Sequence, residues 1–339
     1  MSLISTLKRK NNKCLFTTPS HGGKYIILHK FYPWYRNDIS ETDAYNPQEA
    51  LHKAEKRASE IYGTKYTKFL TNGSTSGIIA AVIASGCKNI AIWKDAHICH
   101  KNAAELSGAN IIEYELEKDN ELGLYRAITV NDVINIIKNN DIDGLIITSP
   151  TYEGFAANIC EISVICRKNN VKLIVDEAHG ALYPFSDKLP QSAVKIADYT
   201  VQSLHKTAGG INPTALLHSN DNNPDIALAK INTTSPSYPM LASIEANINF
   251  LNSAKGRKKI DILINNIIDL NLTKYNDDIT KIILKSEKMS GYELSDILFN
   301  KYNIEDERTN EKSTMLLCGI GTDEKMLKKL KKALNNLKF

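Results

Sequence analysis

The chain lacks any Cys-x-x-Cys pair. Its six cysteines, Cys14, Cys87, Cys99, Cys160, Cys166 and Cys318, are scattered over 339 residues. Reduced thiols in a cytoplasmic protein are the simplest reading of that pattern. It also lacks a long hydrophobic run, since the longest apolar helix candidate, residues 78–84, is far too short to cross a bilayer. Residues 1–13 carry basic side chains but no apolar stretch of the secretory kind, so no export signal is expected. A net charge of +4 is too small to point toward nucleic acid. No internal repeat or low-complexity tail is visible, and the Lys-rich end reads as a solvated helix face. These absences lead to the expectation of a soluble, cytoplasmic protein whose partners include neither nucleic acid nor membrane.

With 42% hydrophobic and 24% charged residues, the composition is that of a globular chain able to bury a sizeable core. Its length suits a large α/β domain with a smaller one. Residues 1–50 are rich in aromatics and acids without periodicity, and read as an N-terminal arm packed on the body or on a partner subunit. Between 51 and 242, short apolar runs at 68–70, 89–93, 111–114, 144–148, 172–175 and 199–202 alternate with helical segments. Such alternation predicts a mostly parallel sheet covered on both faces, with ligands beyond the strand carboxyl ends. Residues 243–339 read as a long connecting helix at 243–268 followed by a small α+β domain.

The polar motifs follow the strands. Ser203-Leu204-His205-Lys206-Thr207 places a lysine after a strand, flanked by two groups able to bind phosphate. Asp176 closes the strand Lys172-Leu-Ile-Val-Asp176. The sequel Glu177-Ala-His179 also spells a helicase box, but that reading requires an upstream phosphate loop with Gly-Lys-Ser/Thr. The one upstream Gly23-Lys24 is followed by Tyr25, so no hydroxyl is available for magnesium. Gly73-Ser74-Thr75 lies at a strand-to-helix turn, where an anion site and a simple helix cap are both compatible. His97 follows the strand at 89–93 and reads three ways: a ring-stacking group, a structural histidine, or a metal ligand with Cys99 and His100. A carboxylate, a lysine and a phosphate turn together meet the needs of a pyridoxal-phosphate site.

The order of these motifs resembles that of fold-type I pyridoxal-phosphate enzymes, most closely the ornithine/lysine/arginine decarboxylase family. The resemblance runs almost end to end. Pro19-Ser-His-Gly-Gly23, Asp38-Ile-Ser-Glu41, Thr148-Ser-Pro-Thr-Tyr152, Thr233-Thr-Ser-Pro-Ser-Tyr238 and Gly319-Ile-Gly-Thr-Asp323 all have counterparts in the family. It implies the aspartate-aminotransferase fold, a seven-stranded-type α/β sheet with a small α+β C-terminal domain, and pyridoxal 5'-phosphate as cofactor. It further implies that Lys206 carries the cofactor as a Schiff base and that Asp176 pairs with the ring nitrogen. His97 would stack on the ring, while Ser74, Thr75, Ser203 and His205 hold phosphate and His179 completes the cofactor site. Thr233 would reach the phosphate of the neighbouring subunit in a homodimer with shared sites, its bland alternative being a polar loop. Glu307 in Asn303-Ile-Glu-Asp-Glu307-Arg308 would meet a cationic substrate side chain, with Arg308 beside it, although a lone Glu in a loop is usually solvated.

Two departures stand out. No segment corresponds to the N-terminal wing or C-terminal domain of the large enterobacterial relatives, so a wing-dependent decamer is not expected. In addition, His179 stands where some members carry tryptophan, and the Arg308 region is shortened. The expected activity is decarboxylation of a basic L-amino acid. Transamination or another carbon–carbon lyase reaction on the same cofactor is the first alternative, because fold does not fix reaction. A non-enzymatic scaffold is the second, and it has no need of the full polar set.

Overall fold

The structure, a computed structural model, describes residues 14–16 and 50–337. Most of the expected arm, including the motifs at 19–23 and 38–41, lies outside the described residues. From β1 (Cys14–Leu15) the chain continues with α1 (Ala50–Tyr62), β2 (Tyr66–Leu70), α2 (Gly73–Ser85), β3 (Asn89–Trp93), α3 (Cys99–Ser107) and β4 (Asn110–Tyr114). A small hairpin, β5 (Lys118–Asp119) and β6 (Leu124–Tyr125), precedes α4 (Val130–Asn139), β7 (Gly144–Thr148), α5 (Ile159–Lys168) and β8 (Lys172–Asp176). Next come β9 (Tyr199–Ser203), the single turn α6 (Leu204–Thr207), β10 (Ala215–Ser219), α7 (Asp225–Ala229), α8 (Tyr238–Asn252) and α9 (Ala254–Ile268). The last part holds β11 (Lys281–Leu284), α10 (Gly291–Tyr302), β12 (Ile304–Glu305), β13 (Arg308–Thr309), β14 (Thr314–Leu317) and α11 (Glu324–Asn336).

Seven strands form the central sheet in the order β2-β10-β9-β8-β7-β3-β4, with β10 antiparallel to both its neighbours and the rest parallel. Both faces are covered, as the near-continuous apolar strands require. Ile146, Ile174 and Val201 pack with Ile78 and Val82 of α2 on one side. Their sequence neighbours Leu145, Ile147, Leu173 and Val175 pack with Ile136 of α4 and Ile162 of α5 on the other. This is the period-2 alternation of a strand, expressed in two apolar layers.

The expected mostly parallel sheet holds, with β10 as its one reversed strand, built on the short run Ala-Leu-Leu-His-Ser between Pro213 and the polar turn at 220–224, which the expected runs do not include. One expectation needs correction. The helix expected at 243–268 is two helices broken at Ser253, which is extended (ψ 156°) and accepts a hydrogen bond from Gly256 N. A serine in that conformation caps a new helix instead of continuing the old one. Gly256 allows the break, since a Cβ there would stand 2.0 Å from the carbonyl oxygen of Phe250.

Beyond α9, strands β11-β14-β13 form a three-stranded antiparallel sheet. The described piece of the N-terminal segment is held against this part: β1 pairs in parallel with β12, Phe16 is fully buried, and its carbonyl accepts from Leu317 N at 2.9 Å.

The sheet meets α2 most closely at Gly77, where an added Cβ would lie 2.7 Å from Val201 Cγ1 and 2.8 Å from Leu70 Cδ1. Gly77→Val should therefore push α2 off the sheet and destabilise the protein by about 1–3 kcal/mol, as overpacked cores do. Denaturant unfolding measures this, and an unchanged midpoint would mean that α2 and β9 are not in close contact.

Candidate active site

The carboxyl ends of five parallel strands and the entrance to antiparallel β10 meet at one edge of the sheet, around a cavity of about 640 Å³. Register brings its chemistry together: Thr148 of β7 is level with Asp176 of β8, and Asp176 with Val201 of β9. Asp176 is 6% exposed, and both its oxygens are engaged, Oδ1 by Ala178 N at 3.1 Å and Oδ2 by His100 Nε2 at 2.9 Å. Burial alone would raise its pKa, but the His100 hydrogen bond, the positive charge on Lys206 and the Ala178 N–H together hold it below the usual carboxylate range.

Lys206 stands in the single turn α6 directly after β9 and lines the same cavity. Burial, opposed mainly by the charge of Asp176, keeps its amine below the ordinary lysine range. Its Nζ lies 3.1 Å from Nε2 of His179. Burial and the nearby cations hold His179 well below the ordinary histidine range, so the ring is neutral and Nε2 can accept from the lysine. The other nitrogen, Nδ1, is then a buried N–H with no hydrogen-bond partner among the described residues.

At one end of the cavity lie Gly73, Ser74 and Thr75, the first turn of α2. Asn72, which precedes that turn, makes no side-chain capping bond, so the leading N–H groups of a 13-residue helix face the cavity uncapped. His205 also lines the cavity, and its Nδ1 donates to the carbonyl of Thr214 at 3.1 Å. His97 lines it as well, its Nδ1 accepting from Cys99 N at 3.2 Å. Ser203 is fully buried at the end of β9, shares the face of Val201, which α2 covers, and its hydroxyl has no hydrogen-bond partner among the described residues.

At the other end, the Tyr152 ring lies 4.5 Å from that of His179 and 5.1 Å from the Arg308 guanidinium carbon. The Tyr152 hydroxyl donates to Glu307 Oε1. Arg308 pairs with Glu153 at 2.9 Å, and both line the cavity. Thr233 does not join this group; it lies exposed between α7 and α8, its hydroxyl accepting from Ser235 N at 3.1 Å.

Two residues of the site were missed in the sequence. Glu153 reads there as part of a Thr-Tyr-Glu-Gly turn, yet it is 6% exposed on the cavity wall. His100 was considered only as a metal ligand. Among the described residues Cys99, His100 and Asp176 do offer ligand atoms within 4.8 Å of one another. His100 Nε2, however, already holds Asp176 Oδ2 at 2.9 Å. His100 is therefore described as a hydrogen-bonded support of the Asp176 carboxylate.

The doubly covered sheet and its edge pocket define an α/β protein of the fold-type I class. The lysine decarboxylase LdcF of Francisella novicida superposes with a TM-score of 0.79 at 19% identity, over 94% of this chain and 57% of that one. The family model for the Orn/Lys/Arg decarboxylase major domain matches residues 9–284, and the chain belongs to that family. An arginine decarboxylase of Halalkalibacterium halodurans is 29% identical over 326 residues, covering 87% of this chain and 66% of the relative. The uncharacterized protein YaaO of Bacillus subtilis is 27% identical over 355 residues, covering 94% of this chain and 73% of the relative. The chain thus spans somewhat under two thirds of the named decarboxylases. Pyridoxal 5'-phosphate is the cofactor that membership brings. The residues present fit it: an uncapped helix start able to take a phosphate, a held carboxylate able to pair with a ring nitrogen, and an amine with depressed pKa line one cavity.

The support role of His100 is measurable. His100→Phe leaves a buried carboxylate oxygen unpaired, at a cost of about 1–3 kcal/mol. Because the folded pKa of Asp176 is depressed, its contribution to stability is present above the ordinary carboxylate range and is lost as pH falls through the folded value. The stability gap between wild type and His100→Phe should therefore be widest near neutral pH and shrink on acidification. A gap independent of pH in acid titrations of unfolding free energy would rule out this coupling.

Proposed function

We propose that this protein is a pyridoxal-phosphate-dependent decarboxylase of a basic L-amino acid, with lysine, ornithine and arginine as the candidate substrates. One observation carries the reading: Lys206 and Asp176 meet at the carboxyl edge of β8 and β9, in a pocket that opens onto an uncapped helix start. Residues Ser74, Thr75 and His205 are assigned to the phosphate, Asp176 to the ring nitrogen, His97 to the ring face, and Lys206 to covalent attachment. Ser203, whose buried hydroxyl has no hydrogen-bond partner among the described residues, is assigned to the phosphate with Ser74, Thr75 and His205. When bound, the cofactor supplies a carbonyl for amine exchange and a protonated ring that accepts the electrons released as CO₂ departs.

The chain's own residues account for the rest. A lysine held below its ordinary pKa has more of the neutral amine needed for attack near neutral pH. Neutral His179 Nε2, at 3.1 Å, accepts a hydrogen bond from Lys206 Nζ and so orients the amine. The ionised Asp176 favours positive charge on the nitrogen it faces. Glu153 and Glu307 put negative charge at the far end, which suits a cationic substrate side chain better than an acidic one. The part at 51–242 would carry the cofactor, and that at 243–339 would complete the substrate end. Thr233 is kept as a contribution to a neighbouring subunit in a homodimer. A second reading, transamination, is favoured by Arg308, the only arginine beyond residue 268, because an arginine can grip a substrate carboxylate.

Purified protein incubated with cofactor and each basic amino acid should release CO₂ and the corresponding amine, as seen by mass spectrometry. A 2-oxo acid product would favour transamination. Borohydride treatment should fix the cofactor on Lys206, and peptide mapping that finds another lysine would overturn the assignment. Asp176→Asn should still bind cofactor but turn over slower by a factor on the order of 10², the scale of one lost electrostatic group.

A further inference from the structure

We infer that Glu153, rather than Glu307, receives the distal cation of the substrate, and that Arg308 is a resident stand-in which the substrate displaces. The inference rests on the basic-substrate reading above and assigns the subsite within it. Glu153 lines the cavity and is 6% exposed, whereas Glu307 accepts the hydroxyl of Tyr152. That bond gives Glu307 a different task, holding the Tyr152 ring against His179 and hence near Lys206.

The two partners of the Glu153–Arg308 pair differ in rigidity. Glu153 sits in a turn held from several sides: Gly154 N donates to Thr151 O at 3.0 Å, Thr151 N to Phe155 O at 2.8 Å, and Asp278 N to Gly154 O at 2.9 Å. Asn276 Nδ2 also donates to the carbonyl of Glu153 itself. Gly154, at φ +93°, has a conformation that other residues rarely adopt, and a Cβ there would lie 2.9 Å from Asn276 Nδ2. Arg308, by contrast, begins a two-residue edge strand, and its side chain is 57% exposed. The carboxylate is fixed, whereas the more exposed guanidinium can turn to water once another cation takes its place on Glu153.

A buried carboxylate needs a counter-cation, and burial already pushes Glu153 above the ordinary carboxylate range, with the Arg308 charge the main opposing influence. The internal arginine supplies this charge when no substrate is present. A substrate ammonium or guanidinium entering along the cavity supplies the same charge from the inside, so Arg308 competes with it. Removing Glu153 and removing Arg308 should therefore have opposite effects on the binding of a distal cation.

The test uses holoenzyme and two probes of equal chain length, cadaverine and pentylamine, which differ only in the distal ammonium. Binding of each is read from the cofactor absorbance at mildly alkaline pH, without turnover. Wild type should prefer cadaverine. Glu153→Gln, isosteric and uncharged, should reduce that preference by roughly ten- to a hundredfold, the range for a hydrogen bond to a charged group. Its pentylamine affinity should not change, which also shows that the pocket is folded. Arg308→Gln should increase the cadaverine preference several-fold. If Glu153→Gln keeps the preference, if Glu307→Gln alone abolishes it, or if Arg308→Gln weakens both amines, the assignment is wrong. Failure of the decarboxylase reading shows separately: no CO₂ from any basic amino acid while the Glu153-dependent preference persists.

Discussion

A charged carboxylate at the end of a buried strand is costly unless it has partners, and the arrangement of this pocket answers that cost at Asp176. The partners come from three elements: His100 from α3, the Ala178 N–H from the turn after β8, and the charge of Lys206 from the turn after β9. Each partner is where it is because its own strand ends at the same level. Parallel pairing of β7, β8 and β9 sets that level, so the strand register and the electrostatics of the site are one constraint. A slip of one residue in β8 would turn Asp176 into the opposite apolar layer and leave Lys206 and His100 facing a valine.

The reversed strand β10 matters for the same reason. A strand running with the others would bring its far end to the pocket. Running against them, it delivers the loop before Ala215, with Asn212 and Pro213, to the carboxyl edge. That loop packs beside the start of α2, where Pro213 Cβ lies 3.7 Å from the position a Cβ on Gly73 would take. The end of the cavity at the start of α2 is thus closed by backbone from two directions, whereas the end at Tyr152 and Arg308 is closed by side chains.

This difference also explains what could be read from the sequence. Asp176 ends an apolar run and Lys206 follows the β-prone Tyr-Thr-Val-Gln-Ser, so local pattern is enough to place both at strand ends. Gly73-Ser74-Thr75 is legible because a helix start is a local feature. His100 is not, since its partner lies 76 residues away and the three-residue spacing from His97 says nothing about it. Strand alternation puts Ser203 on the layer of Val201, the face that α2 covers, while the turn of α6 directs His205 and Lys206 into the cavity. The break at Ser253 was missed because apolar spacing continues across it, and only the packing of Gly256 against Phe250 shows the chain changing direction.

The substrate end depends on a tie between the two sheets. Lys281, fully buried on β11, donates to the carbonyl of His179 at 3.0 Å and pairs with Asp278, which also accepts from Tyr183 at 2.7 Å. A buried lysine with three oxygen partners, Thr280 Oγ1 included, is an expensive device for stability alone, since well-packed apolar residues often serve as well. Its specific effect is to fix the backbone of His179, the residue that meets both Lys206 and Tyr152. Asp278 N in turn holds the Gly154 carbonyl, next to Glu153. One buried ion pair therefore sets the positions of the imidazole beside Lys206 and of the Glu153 carboxylate at the opposite wall of the cavity.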